Sequence, residues 1–217
     1  MVKAVLFDFD GTLADSLGIY LKAYRITLQH FGSNFADAQV IKTCFGKTEE
    51  TITASLGMSE KAEKFRKFYF DQLHKHYDEL RLFPDTLQTL DTLKNKQIKL
   101  SLVTFLHREL IDQAVDQLQI RNYFEIIISF NDVEQAKPAP QAVFKACDML
   151  RVKPEEVLVI GDSKNDILIG KNAGSKTALY TPSENSKFYN FEELINLTHP
   201  DFVIKKLHKV VRLVQNV

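Results

Sequence analysis

Two carboxylates stand two residues apart in Asp8-Phe9-Asp10-Gly11-Thr12, directly after the apolar run Ala4 to Phe7. On an extended chain such residues project to the same side, so Asp8 and Asp10 form a pair. Gly11 then permits a sharp departure of the backbone. Other residues able to do chemistry follow other apolar runs. Thr104 ends Ser101-Leu102-Val103-Thr104, Lys137 lies in Ala136-Lys137-Pro138-Ala139-Pro140, and Asp162 and Asp166 lie in Gly161-Asp162-Ser163-Lys164-Asn165-Asp166. Singly, each has an ordinary structural reading. Asp-Gly is a common turn pair, strands favour threonine, prolines shape loops, and an aspartate after a strand can cap the next helix. Together they place four acids, a hydroxyl and an ammonium at the ends of apolar runs. Packed acids repel unless a cation joins them. The ligand atoms on offer are oxygens, with neither histidine nor cysteine among them, which suits magnesium rather than zinc.

Bringing these residues together requires a parallel sheet. The runs Ala4 to Phe7, Ile98 to Val103, Ile126 to Ile128 and Val157 to Ile160 are nearly continuous in apolar residues, as strands covered on both faces are. Between the second and third, Leu106, Leu110, Ile111, Ala114, Val115 and Leu118 make one helical stripe. Between the third and fourth, Val143, Phe144, Cys147 and Leu150 make another. This alternation predicts an α/β fold with a Rossmann-like parallel sheet, in which ligands bind at the carboxyl ends of the strands. The first connection is far longer than one crossover needs. Within it Leu17 to Phe31, Glu49 to Leu56 and Glu60 to Tyr77 read as helical. The predicted organisation is a core of residues 1–16 and 81–217 and an inserted α-helical domain of residues 17–80. Its return hinge falls around Leu80 to Pro84, with Pro84 in the first turn of the next helix. Val203 to Val214 reads as an amphipathic helix docked on the core with a solvated basic face.

In this order the motifs resemble those of the haloacid dehalogenase superfamily, in the branch whose helical cap is inserted after the first motif. The four are Asp8-Phe9-Asp10-Gly11-Thr12, Thr104, Lys137, and Gly161-Asp162-Ser163 with Asp166; Asn172-Ala173-Gly174 and His199-Pro200-Asp201-Phe202-Val203-Ile204 are similar too. The resemblance implies a phosphatase. Asp8 would attack phosphorus, and Asp10 would protonate the leaving oxygen and later deprotonate water. Thr104 would hydrogen-bond the phosphoryl oxygens, Lys137 would neutralise the aspartate and the transferring group, and Gly11 and Thr12 would bind substrate. Mg2+ would be held by Asp8, Asp162 and the backbone carbonyl of Asp10, with Asp166 supporting the metal site or Lys137 from behind. Dehalogenases of this superfamily carry an aromatic residue in the place of Asp10, and phosphonate-cleaving relatives a small one. Phosphosugar mutases place a histidine early in the cap, about where Tyr20 stands here. The resemblance therefore implies hydrolysis of a small phosphorylated metabolite, phosphoglycolate-like or similar, with related pyrophosphatases close by. A phosphosugar mutase and a catalytically idle binding relative are the alternatives, and the intact Asp8, Asp10, Lys137 and Asp162 count against the second.

Two details bear on substrate. Gly46-Lys47-Thr48 ends like a nucleotide-binding loop, yet Ile41 stands where an upstream glycine is required. It is predicted to be a helix-connecting turn of the cap. The resemblance implies that this turn can face the substrate, making Lys47 a candidate contact, and a solvated lysine is the plain alternative. Phe105 replaces the small polar residue that many relatives carry after the threonine, which predicts a more apolar leaving-group side.

Composition narrows the remaining classes. Among 217 residues, 28 Lys and Arg balance 28 Asp and Glu, so the broad basic field of a nucleic-acid binder is missing. Cys44 and Cys147 lie outside any metal-type spacing and are expected to be packed, reduced thiols. No apolar stretch approaches the roughly 18 residues of a membrane span, and Ala4 to Phe7 is too short for a signal-peptide core. The expectation is a cytoplasmic protein, monomer or homodimer, with no membrane or nucleic-acid partner.

Overall fold

Ala4–Phe7 forms β1, and every one of its side chains is fully buried. In the computed structural model, which describes residues 1–216, β1 lies near the middle of a six-stranded sheet. The other strands are β2 (Lys99–Val103), β3 (Ile126–Ile128), β4 (Val157–Gly161), β5 (Lys176–Tyr180) and β6 (Phe202–Ile204). Their order is β3-β2-β1-β4-β5-β6, and every neighbouring pair is parallel. The chain moves outward from β1 to β2 and β3, then crosses to β4 and moves outward the other way. The order therefore reverses between β1 and β4, the place where open sheets of this type form their crevice.

The helices are α1 (Leu17–His30), α2 (Asp37–Cys44), α3 (Glu49–Ser55), α4 (Ala62–His76), α5 (Thr86–Asn95), α6 (Arg108–Gln117), α7 (Gln141–Leu150), α8 (Lys164–Ala173), α9 (Phe191–Thr198) and α10 (Val210–Asn216). The chain divides into two compact units, Met1–Asp15 with Arg81–Val217, and Ser16–Leu80. In the first unit, Ala4, Leu6, Val103, Val157 and Val159 pack against Ala142, Val143, Ala146 and Cys147 of α7 and Ile169 and Ala173 of α8. The pleat turns Val5 and Phe7 to the opposite face. Where the insert departs and returns, Asp15 N donates to Arg81 O at 2.9 Å and Phe83 N to Leu13 O at 3.0 Å. In the second unit, Leu28 of α1 and Phe65 of α4 are fully buried, and Tyr24 stacks on Tyr69 with centroids 4.0 Å apart.

The sheet is the one the sequence predicts, with two strands added. β5 opens on exposed Lys176 and shows only a short apolar run, too little periodicity to register. β6 corrects the expected helix over Val203 to Val214. Phe202-Val203-Ile204 is aromatic and β-branched and pairs with Ala178-Leu179-Tyr180, so the helix begins only at Val210. Buried Leu207, Val210 and Val214 supply its docking side. Pro84 sits in the turn before α5, which starts at Thr86, whose Oγ1 donates to Leu13 O at 3.1 Å. Both cysteines are buried and free. Among the described residues, no helix is long and apolar enough to cross a membrane.

Candidate active site

The two central strands end side by side. Phe7 pairs with Ile160, and Asp8 N continues the ladder by donating to Ile160 O at 2.8 Å. Beyond that point the chains part, and Asp8 and Asp162 emerge from adjacent strands at the reversal point, both buried. β2, on the other side of β1, delivers buried Thr104. Its Oγ1 accepts from Leu106 N at 3.1 Å, and the hydroxyl hydrogen can still be donated elsewhere.

Turn geometry sets the first motif. Asp10 bridges to Ala14, and Gly11 adopts a left-handed φ of +75° while its N donates to Ala14 O at 2.8 Å. A Cβ on Gly11 would lie 2.1 Å from Asp162 Oδ2. The bare backbone is thus the surface on which Asp162 rests. Gly161 serves Asp166 in the same way, since a Cβ there would lie 2.2 Å from Asp166 Cβ and Cγ. Ser163, rather than Asp162, caps α8, and Asp166 Oδ2 accepts from Ser163 N and Oγ in a reciprocal box.

Lys137 joins the first and last motifs. Its Nζ donates to Asp8 Oδ1 at 2.8 Å and to Asp166 Oδ1 at 2.6 Å, and its side chain is 7% exposed. Burial pulls this ammonium toward its neutral form, but Asp166 and Asp8 overcompensate and hold it above the ordinary lysine value. Asp8 is pushed up to about 8, first by burial and then by Asp166, with Lys137 pulling the other way. Asp162 is driven well above the carboxylate range by burial and then by Asp166 and Asp8. One ammonium does not satisfy this cluster.

The donor set fits a hard cation. Asp8, Asp162 and Asp166 each offer a carboxylate oxygen, and these oxygens lie within 4.8 Å of one another. A divalent ion would offset the burial and the mutual repulsion that raise Asp8 and Asp162. Both Asp166 oxygens already have donors, so Asp166 is placed to hold Lys137 and the start of α8.

The structure thus brings Asp8, Lys137, Asp162 and Asp166 into one cluster, with Gly11 against it. Partly buried Asp10 is close enough to raise both Asp8 and Asp162. Thr12 is buried, and its Oγ1 has no hydrogen-bond partner among the described residues. Lys47 belongs to the other unit. It sits in the turn between α2 and α3, exposed, its Nζ donating to Lys42 O at 2.7 Å. The sequence reading missed two neighbours of the cluster. Asn185, in the turn Ser183–Lys187, donates to Asp162 Oδ2 at 2.7 Å. Tyr189 is lifted well above the phenol range by burial and then by the field of Asp162, Asp166, Asp8 and Asp10. Pro182-Ser183-Glu184-Asn185 reads as an ordinary turn, and nothing in it signals an inward amide.

Comparison with known proteins agrees with this architecture. A family model described as haloacid dehalogenase-like hydrolase matches residues 5–180. The chain is 32% identical to the phosphoglycolate phosphatase of Aquifex aeolicus, over 99% of this chain and 98% of that one. It is 31% identical to the pyrophosphatase PpaX of Anoxybacillus flavithermus, over 98% and 96%. A crystal structure from Bacteroides fragilis, described as a haloacid dehalogenase-like hydrolase, superimposes with a TM-score of 0.85 at 29% identity, covering 97% of this chain and all of that one.

Proposed function

Because this chain belongs to the haloacid dehalogenase-like hydrolase family, we propose that it is a magnesium-dependent phosphatase of a small phosphorylated metabolite, acting through an aspartyl-phosphate on Asp8. The observation that carries this reading is the buried carboxylate at the end of β1, held by Lys137 and flanked by Asp162 at the reversal point of the sheet. An Asp8 oxygen attacks phosphorus and the bond to the ester oxygen breaks, while Asp10 gives its proton to the leaving oxygen. Asp10, now ionised, takes a proton from a water that attacks the same phosphorus. The bond to Asp8 then breaks, and phosphate leaves. Thr104 and Lys137 hydrogen-bond the phosphoryl oxygens, over which negative charge is spread in the transition state. Asp8, Asp162 and the Asp10 backbone carbonyl would hold Mg2+, which supplies screening between the carboxylate and the phosphate charge.

The relatives' names denote small, densely charged phosphate compounds, and we extend that class to this chain. Residues 17–80 would act as the cap that excludes water and selects substrate, with Lys47 supplying a cation for the substrate's acidic remainder. The cell compartment proposed is the cytoplasm. The test is phosphate release from phosphoglycolate, pyrophosphate and an aryl phosphate, with Mg2+ and with a chelator, for the parent and Asp8→Asn proteins. Turnover that needs both Mg2+ and Asp8 is expected. Undiminished turnover by folded Asp8→Asn, or in chelator, would sink the reading.

A further inference from the structure

The loop after β5 carries a side chain to which the reaction above gives no role. Asn185 is fully buried. Its backbone is fixed on both sides, with N donating to Pro182 O at 3.2 Å and O accepting from Phe188 N at 2.9 Å and Tyr189 N at 3.2 Å. From this anchored turn the side chain reaches two separate motifs. Nδ2 donates to Gly11 O at 2.8 Å and to Asp162 Oδ2 at 2.7 Å. A backbone carbonyl can only accept, so Nδ2 must face Gly11 and the amide cannot be turned over. Its Oδ1 has no hydrogen-bond partner among the described residues.

These contacts constrain the acid more than burial alone would. Asp162 packs on the bare backbone of Gly11, with no room even for a Cβ between them. One amide ties the Gly11 carbonyl and Asp162 Oδ2 together, which fixes both the turn and the plane of the carboxylate. Acidic ligands of a cation are themselves held by hydrogen bonds, and those partners set how tightly the cation binds. We propose that Asn185 is a positioning residue of the cation site, holding Asp162 and the Gly11 turn in the arrangement that binds the divalent ion. The proposal rests on the metal-dependent reading above and assigns Asn185 no contact with substrate.

The test is direct Mn2+ binding, read by electron paramagnetic resonance without substrate, for the parent, Asn185→Ala and Asp162→Asn proteins. Asn185→Ala should bind Mn2+ about 10- to 100-fold more weakly than the parent. The Mg2+ concentration for half-maximal turnover should rise by the same factor, while kcat at saturating Mg2+ stays within a few-fold of the parent. A purely structural role would lower the melting temperature and leave Mn2+ affinity within about twofold, and that result would overturn the proposal. A parent protein that binds neither ion would instead overturn the metal reading itself. A second measurement covers the case in which Asn185→Ala does not fold. In the unaltered, isotope-labelled protein, the Asn185 side-chain amide resonances should shift with Mg2+ and saturate with binding. Resonances that stay fixed while Mg2+ binds would also overturn the proposal.

Discussion

Replacing Lys137 by methionine keeps the length and apolar stem of the side chain and removes only the ammonium. In the parent that group donates to Asp8 at 2.8 Å and to Asp166 at 2.6 Å, with all three side chains 10% exposed or less. Removing one partner of a buried ion pair leaves charge without compensation and costs about 3–5 kcal/mol. For a chain of this size each kcal/mol moves the melting temperature by about 2–4 °C, so a fall of roughly 6–20 °C is expected in chelator. The sign with pH follows from the acids left behind. Without the ammonium the Asp8 value, already pushed up to about 8 by burial and Asp166, rises further, so above about pH 8 the folded variant keeps a proton that the folded parent releases, and only the variant goes on losing stability. The deficit should therefore be about the same at about pH 5 and about pH 7 and larger at about pH 9. Adding Asp166→Asn should recover part of the loss, because the two sites are in contact and their effects do not add. Thermal melts of the parent, the Lys137→Met and Asp166→Asn single variants and the double variant, with chelator throughout, provide the assay. A Lys137→Met protein within about 2 °C of the parent, or a deficit no larger at about pH 9 than at about pH 7, would refute the reasoning.

Three further outcomes follow from the same geometry. Gly11→Ala combines a left-handed φ with a Cβ 2.1 Å from Asp162 Oδ2, so the carboxylate must move, and half-saturation by Mg2+ in a turnover assay should rise about tenfold or more. Burial, then Asp166, push Asp8 up to about 8, so its contribution to metal-free stability should fall as pH rises from the ordinary carboxylate value near 4 to about 8 and then level off, and the fall should be absent from Asp8→Asn. Magnesium competes with that proton, and calorimetry should find its stabilising effect larger at about pH 8 than at about pH 5. Lys47→Ala should raise KM about tenfold for a small acidic phosphate, with kcat less affected. A neutral aryl phosphate measured on the same preparation should change little, and equal losses for the two substrates would return Lys47 to a solvated turn lysine.

The parallel sheet was legible because its central strands are buried on both faces. Ala4 to Phe7 and Val157 to Ile160 read as unbroken apolar runs, the first followed at once by a carboxylate and the second after one glycine. β5 and β6 were harder. The first begins on a charged residue and the second spans three residues, so neither shows a period, and pairing with a neighbour decides their state. The cluster was legible wherever a residue sits at a strand end, as Asp8 and Asp162 do. It was not legible at Asn185, which reaches Gly11 across 174 positions of sequence. Only the close packing of the loop after β5 brings that amide to the acids. The division of labour between Asp162 and Asp166 is also a matter of geometry. Ser163 caps α8 through Asp166, and Lys137 takes that acid's other oxygen.

The central claim is that the phosphoryl group passes through Asp8. Asp10→Asn should form the acyl phosphate readily from an aryl phosphate, whose leaving group needs no proton, and hydrolyse it slowly for want of a base. The most direct measurement is acid quenching of this variant during turnover, followed by peptide mass spectrometry. The account predicts one phosphoryl group on the peptide containing Asp8, converted to homoserine at that position by borohydride and absent from the Asp8→Asn protein. Turnover with no phosphoryl group on Asp8 at any quench time, or a phosphoryl group on another residue, would contradict it.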